Sequence, residues 1–214
     1  MKITLARIKK HRPCHDGWKK ILAAQGPDME REWPLVEAFK SNSLDDVLWA
    51  LRCLPEYNAL WRKYAIWCAK QVDHLLTDQR SEDALEVAWM HSNGQTTEAE
   101  LAAARDAAWD AAWATRVAAW DAKDTASDTE LAAAESARDA ASAAAWSLAS
   151  ATIAGAAARN AARAASDASY AACPAARTAA KAAQKEKLRE ILAAGESEAN
   201  FMLSELWNKQ ESEK

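Results

Sequence analysis

The sequence predicts an all-α protein: an N-terminal bundle of short helices packed on long antiparallel Ala-rich helices. Three observations carry this. Only 5 Gly and 5 Pro occur in 214 residues, which leaves few turns and excludes a sandwich or barrel of many short strands. Alanine, the residue that forms helices at least cost, makes up about a quarter of the chain. Capping-box patterns, Ser or Thr followed three residues later by an acid, stand in front of long uninterrupted segments.

The first half, 1–95, has mixed apolar composition and reads as short helices. Residues 3–11 form a basic amphipathic turn or two. Pro13 lies shortly before a helix over 18–25, which Gly26 stops. Trp33-Pro34 opens a third segment ending near Asn42. Ser43-Leu-Asp-Asp46 caps 47–54, and Pro55 closes it. A longer helix over 57–76 follows, with Leu60, Tyr64, Trp67, Cys68, Val72 and Leu75 at helical spacing. Ser81 caps the next, up to Met90, and His91-Ser-Asn-Gly94 ends it.

The second half, 96–194, is dominated by alanine. Thr97-x-x-Glu100 starts a helix over 98–126, and Ser127-x-x-Glu130 starts one over 128–153. Gly155 and Pro174 punctuate the rest into 156–172 and 174–194, because proline begins a helix more readily than it continues one. Alanine buries little area per residue, so these helices need close approach to gain contact. The two halves are expected to form one cooperative unit. A partly helical tail, 195–214, follows Gly195. The Ala-Ala-Trp recurrences have no fixed solenoid period.

Net charge is -4 and the pI about 5.7, which argues against direct nucleic-acid binding by the whole molecule. The distribution is uneven. Lys2, Arg7, Lys9, Lys10, Arg12, Lys19 and Lys20 make a basic start, 82–139 carries thirteen acids against four bases, and 159–189 turns positive again. An export leader and a long uncharged apolar run are both missing from the pattern, so the expected location is cytoplasmic with no membrane partner. Cys14, Cys53, Cys68 and Cys173 form no C-x-x-C pair and read as reduced, structural thiols. Neither a P-loop nor a dinucleotide, nucleophile-elbow or zincin motif occurs, so a non-enzymatic protein without cofactor or metal is expected.

On a helical wheel the segment 102–126 sorts into four bands. Trp109, Trp113 and Trp120 form a stripe, beside an acidic one of Asp106, Asp110, Asp121, Asp124 and Asp128. Arg105, Arg116 and Lys123 lie on the other side of the tryptophans, and alanine fills the rest. In one reading the Ala face packs on its fellow Ala-rich helices and the Trp stripe packs on the first half of the chain. In the other the stripe is partly exposed and binds a protein, since Trp and Arg are enriched at binding hot spots. A third idea has the acids imitating a phosphate backbone. Separately, Asp45, Asp46, Trp49, Arg52, Arg62 and His74 form a dense polar set. It is either a salt-bridged packing contact or a pocket for a ligand or partner.

Several segments resemble a known family. They are Cys14-His-Asp-Gly-Trp18, Asn42-Ser-Leu-Asp-Asp-Val-Leu-Trp-Ala-Leu-Arg52, Tyr64-Ala-Ile-Trp-Cys-Ala-Lys-Gln-Val-Asp-His-Leu75, the Ala-Ala-Trp run and Lys187-Leu-Arg189. Their order and spacing, over about 2–192, resemble an immunity protein family of bacteria and phages, with a short-helix N-terminal part followed by an Ala-rich, Trp-dotted one. The resemblance implies inhibition of a toxin and brings no catalytic residues. The expectation is therefore a protein that binds and inhibits another protein, with Trp109, Trp113, Trp120, Asp106, Asp110 and Asp121 as the contact surface. The alternative is a phage anti-defence inhibitor of a nucleic-acid-dependent bacterial defence complex, acting through an acidic face. Ala-rich helices pair between chains as readily as within one, which leaves a homo-oligomer open.

Overall fold

The computed structural model describes residues 1–122, 127–148, 154–170 and 174–212, and its class is all-α. Its one departure among these residues is a strand pair: β1 (Lys2–Ile3) runs antiparallel to β2 (Trp33–Pro34), with Ile3 opposite Trp33. Two-residue strands have no periodicity to read, so the sequence offers no sign of them. Helix α1 (Leu5–Lys10) is capped by Thr4, whose hydroxyl accepts the Arg7 N–H. Helix α2 (His15–Gln25) starts three residues before the expected position, because Cys14 Sγ serves as its cap and accepts the Gly17 N–H at 3.4 Å. The segment Leu35–Lys40 is a 3₁₀ turn pair rather than an α-helix.

Helix α3 (Leu44–Ala50) begins at a reciprocal Ser43/Asp46 capping box and breaks into 3₁₀ turns at Leu51–Cys53 and Pro55–Tyr57. Helix α4 (Asn58–Lys70) stops before the expected end. The Gln71 N–H turns back to the Cys68 carbonyl, and a separate 3₁₀ turn covers Asp73–Leu75. Helix α5 (Gln79–Ser92) is capped by Asp78 rather than Ser81, which is buried inside its first turn. Both long-helix capping boxes form as expected, Thr97/Glu100 before α6 (Glu98–Ala122) and Ser127/Glu130 before α7 (Asp128–Ser147). Helices α8 (Ala154–Tyr170) and α9 (Pro174–Ala194) follow. The tail is a full helix, α10 (Glu196–Ser212), entered through Gly195 at φ 89°.

The core is built around α4, which contacts α5, α7, α8 and α10. Its residues from Leu60 to Ile66 are buried without a break, so this helix has no solvent face there. Small residues make the enclosure tight: Ala143 and Ala144 of α7 and Ala158, Ala161 and Ala165 of α8 are buried in the same cluster as Trp61 and Tyr64. The polar atoms of the large side chains find partners inside. Trp61 Nε1 donates to the Leu54 carbonyl at 3.0 Å, and the Tyr64 hydroxyl donates to the Gln184 carbonyl at 3.1 Å. Gln184, itself buried, donates from Nε2 to the Ala162 carbonyl at 2.8 Å, which ties α9 to α8.

A close backbone approach falls at Gly155. A Cβ there would lie 2.6 Å from the backbone nitrogen of Arg52 and 2.8 Å from the carbonyl carbon of Leu51. Backbone atoms cannot swing away as a side chain can. The first turn of α8 is therefore seated directly on the turn after α3.

Helix α10 closes the other side. Trp207 stacks on Trp89 of α5 with ring centroids 4.8 Å apart and planes 7° from parallel. The buried ammonium of Lys63 sits 5.1 Å over the Trp89 ring, and that of Lys70 sits 4.7 Å over Trp207. Lys70 Nζ also reaches Asp73 at 3.4 Å and Glu211 at 2.5 Å. Burial lowers the Lys63 pKa from its usual value, and the indole face offsets part of that desolvation.

Two outcomes follow from this packing. Gly155→Ala lowers unfolding free energy by about 1–3 kcal/mol, the usual cost of forcing extra volume into a packed contact, read as a lower urea midpoint at unchanged slope. Trp207→Ala costs about 2 kcal/mol through lost burial and the opened Lys70 environment, and an unchanged midpoint would show that α10 docks without that stack.

Candidate functional site

Helix α6 packs against α5 and α7 through Leu101, Ala108, Ala111, Ala112 and Ala119, all buried. Its other side carries the tryptophans. Trp113 is 63% exposed, Trp120 73% and Trp109 39%, with Val117 at 41% between them. From Trp109 to Trp120 the row spans about 16 Å at roughly 1.5 Å per residue. Trp109 leans edge-on against Trp146 of α7, centroids 5.2 Å apart at 83°. The Arg116 guanidinium covers Trp113 at 5.6 Å. The stripe does not pack on the first half of the chain. The flat Ala face gives α6 its closest approach to its neighbours, and the bulky indoles are left on the opposite side.

Asp106, Asp110 and Asp121 are exposed along the same helix. Arg105 donates to Asp106 Oδ1 at 3.2 Å, and Arg80 of α5 lies close enough to Asp110 to feel its charge. Asp128 does not belong to this stripe, because it is the first residue of a different helix, α7. Lys123 and Asp124 lie outside the described residues.

The N-terminal polar set divides. Asp45, Asp46 and Trp49 line a cavity of about 370 Å³ between α2, α3 and the N-terminal turns, shared with Trp18, Trp33 and Arg159. Arg52 does not line it. Its guanidinium rests 4.9 Å over the Trp49 ring, and its Nε donates to the Trp49 carbonyl at 3.0 Å. His74 is elsewhere, in a separate depression with Asp128 and Thr129 of α7. The reason is length: α4 puts 13 residues between the α3 end of the bundle and the turn that holds His74, a separation of about 20 Å. Arg62 is buried within α4.

Sequence reasoning missed Trp18, Trp33, Arg12 and Arg159 as cavity residues, since they come from four segments far apart in the chain. The one local signal was Trp33 beside Pro34, where a large apolar residue interrupts every helical period.

The cysteines do not converge. Cys14 is exposed at the start of α2 and borders the cavity. Cys53 and Cys68 are buried, and burial pushes both thiols up to about 12. Cys173 lies outside the described residues. Among the described residues, no group of three or more His, Cys, Asp or Glu side chains is placed to hold a metal ion, and no helix is long and apolar enough to cross a membrane. No family model, curated protein or solved structure matches this chain.

These environments predict a sharp difference in thiol reactivity. Iodoacetamide at mildly alkaline pH alkylates Cys14 in the native protein and reaches Cys53 and Cys68 only after denaturation, as read by peptide mass spectrometry. Native-state labelling of Cys53 or Cys68 would show that the core around α4 opens far more readily than its packing implies.

Proposed function

We propose that this chain is a non-enzymatic cytoplasmic protein that binds and inhibits another protein, of the toxin-immunity type suggested by its sequence resemblance, and that it does so through the Trp face of α6. The observation that carries the reading is the exposure of Trp113 and Trp120, 63% and 73%, in one row on a helix whose other face is packed. Exposed large aromatics in a contiguous row are uncommon on a monomer surface and mark interaction sites. Trp and Arg supply most anchoring energy at interfaces, and Arg116 already lies over Trp113. Asp106, Asp110 and Asp121 along the same helix favour a basic partner and act mainly on its association rate.

The second reading is a phage anti-defence inhibitor that imitates a phosphate backbone with its acids. It has less support, because Arg105 bonds Asp106 and Arg80 sits near Asp110, which dilutes the negative field. The two readings differ in salt dependence. Phosphate mimicry predicts affinity that falls steeply with salt, whereas indole burial does not.

The test compares wild type with a Trp109→Ala/Trp113→Ala/Trp120→Ala variant of matched helicity, each immobilised and exposed to host lysate. A specific protein retained by wild type and lost by the variant supports the proposal. Each true anchor then contributes on the order of 2 kcal/mol to binding. Identical captured sets from both proteins would overturn it. A wild-type dimer in sedimentation that the variant abolishes would reassign the face to self-association.

A further inference from the structure

Two of the side chains lining the cavity under α3 carry a buried N–H without an acceptor. Trp33 is 3% exposed, and its indole N–H has no acceptor among the described residues. The Arg159 Nε–H is buried as well. It lies 3.5 Å from Asp45 Oδ1 but makes no hydrogen bond to it. Both side chains line the same space of about 370 Å³. Folded proteins leave few buried donors unsatisfied, and each one left so costs about 1–3 kcal/mol. Two around one cavity point to an acceptor that arrives from outside.

The acids at the cavity make no hydrogen bond to these two donors: Asp46 Oδ2 accepts from the Ser43 N–H and hydroxyl, Asp46 Oδ1 lies beside Gly17, and Asp45 faces Arg159 without bonding its Nε–H. Two arginines, Arg12 and Arg159, and two aspartates, Asp45 and Asp46, line the space, so its formal charge balances and the surplus is one of unsatisfied donors. Arg12 adds donors of its own. It lines the cavity from an exposed position, where its guanidinium is available to a ligand. It is also the one described non-glycine residue in the left-handed region, at φ 55°. Such a backbone conformation costs on the order of 1 kcal/mol, and residues held in it cluster at ligand sites. Outside the lining, cationic side chains stand near one another. Burial and then the charge of Arg159 lower the Arg52 pKa, while burial, then Arg52, Lys10 and Arg7, lower that of His11.

The walls define the rest of the ligand. Trp18, Trp33 and Trp49 contribute three indoles, with Ile8, Ile21 and Leu35 among the aliphatic lining. Planar rings stack well on such surfaces. The volume falls at the small end of ligand pockets, about 300–1,000 Å³.

We propose that this cavity binds a small aromatic carboxylate, its ring held among the three indoles and its oxygens supplying acceptors to the donor set of Trp33, Arg159 and Arg12. This site is separate from the α6 face, and neither reading depends on the other.

The probe is indole-3-acetate, titrated into the full chain by calorimetry and by ¹H–¹⁵N correlation of the indole N–H signals. Tryptophol, with the same ring and no charge, and tryptamine, with the opposite charge, are the controls. The expected result is saturable binding of indole-3-acetate with a shift of the Trp33 indole signal, assigned through Trp33→Phe, and at least about tenfold weaker binding of both controls. Arg12→Gly removes the guanidinium and suits the left-handed backbone, so it folds at least as well as wild type. It should weaken the probe by about tenfold, and Arg12→Lys should recover part of that loss. The Trp109→Ala/Trp113→Ala/Trp120→Ala variant should bind as wild type does. No heat and no Trp33 shift at about 1 mM probe, a fragment-scale affinity, would overturn the proposal. Equal binding of tryptophol, or full affinity in Arg12→Gly, would overturn the carboxylate assignment.

Discussion

The structure depends on enclosing the middle of α4, Leu60 to Ile66, on every side. A helix buried without a break from Leu60 to Ile66 must still place its charged residues, and α4 carries Arg62 and Lys63 in that stretch and a buried Lys70 at its end. Two of these ammonium groups end on indole rings, Lys63 on Trp89 and Lys70 on Trp207, where the π-face partly replaces water. The sandwich needs both α5 and α10 in place. That explains why the last helix of the chain belongs to the core, with Ala199 and Leu203 buried.

Alanine makes the enclosure possible. Helices faced with methyl groups come closer than helices faced with leucine, and at Gly155 even a methyl group is too large. The same geometry has a cost. A helix that presents alanine inward must put its bulky residues elsewhere, and on α6 that means solvent. The exposed tryptophans and the tight interior are therefore two results of one packing rule. In the N-terminal third the rule does not apply. Short helices, turns and a two-residue strand pair bring Trp18, Trp33 and Trp49 together around a space they do not fill.

Legibility tracked the range of the interaction. The capping boxes at Ser43, Thr97 and Ser127 act within four residues, and all three formed. Pro174 opened its helix for the same local reason. The start of α2 departs from the expected position because a cysteine cap looks like any cysteine in the sequence, and only its sulfur accepting the Gly17 N–H distinguishes it. The end of α4 departs from the expected position because the apolar spacing continues through Val72 and Leu75, while the backbone has already tightened into 3₁₀ turns. His74 was grouped with Asp45 by composition and separated from it by the length of a rigid helix.

The sequence by itself determined the helical class, the capping of its long helices, and the sorting of α6 into alanine, tryptophan and charged bands. These follow from steric and hydrogen-bonding preferences that operate within one or two turns. Only the tertiary structure decided which band of α6 faces water, that the tail docks, and which distant residues share a cavity. Those outcomes depend on competition between whole faces for the same neighbours. A wheel shows every face of one helix, but not which of them another helix approaches most closely.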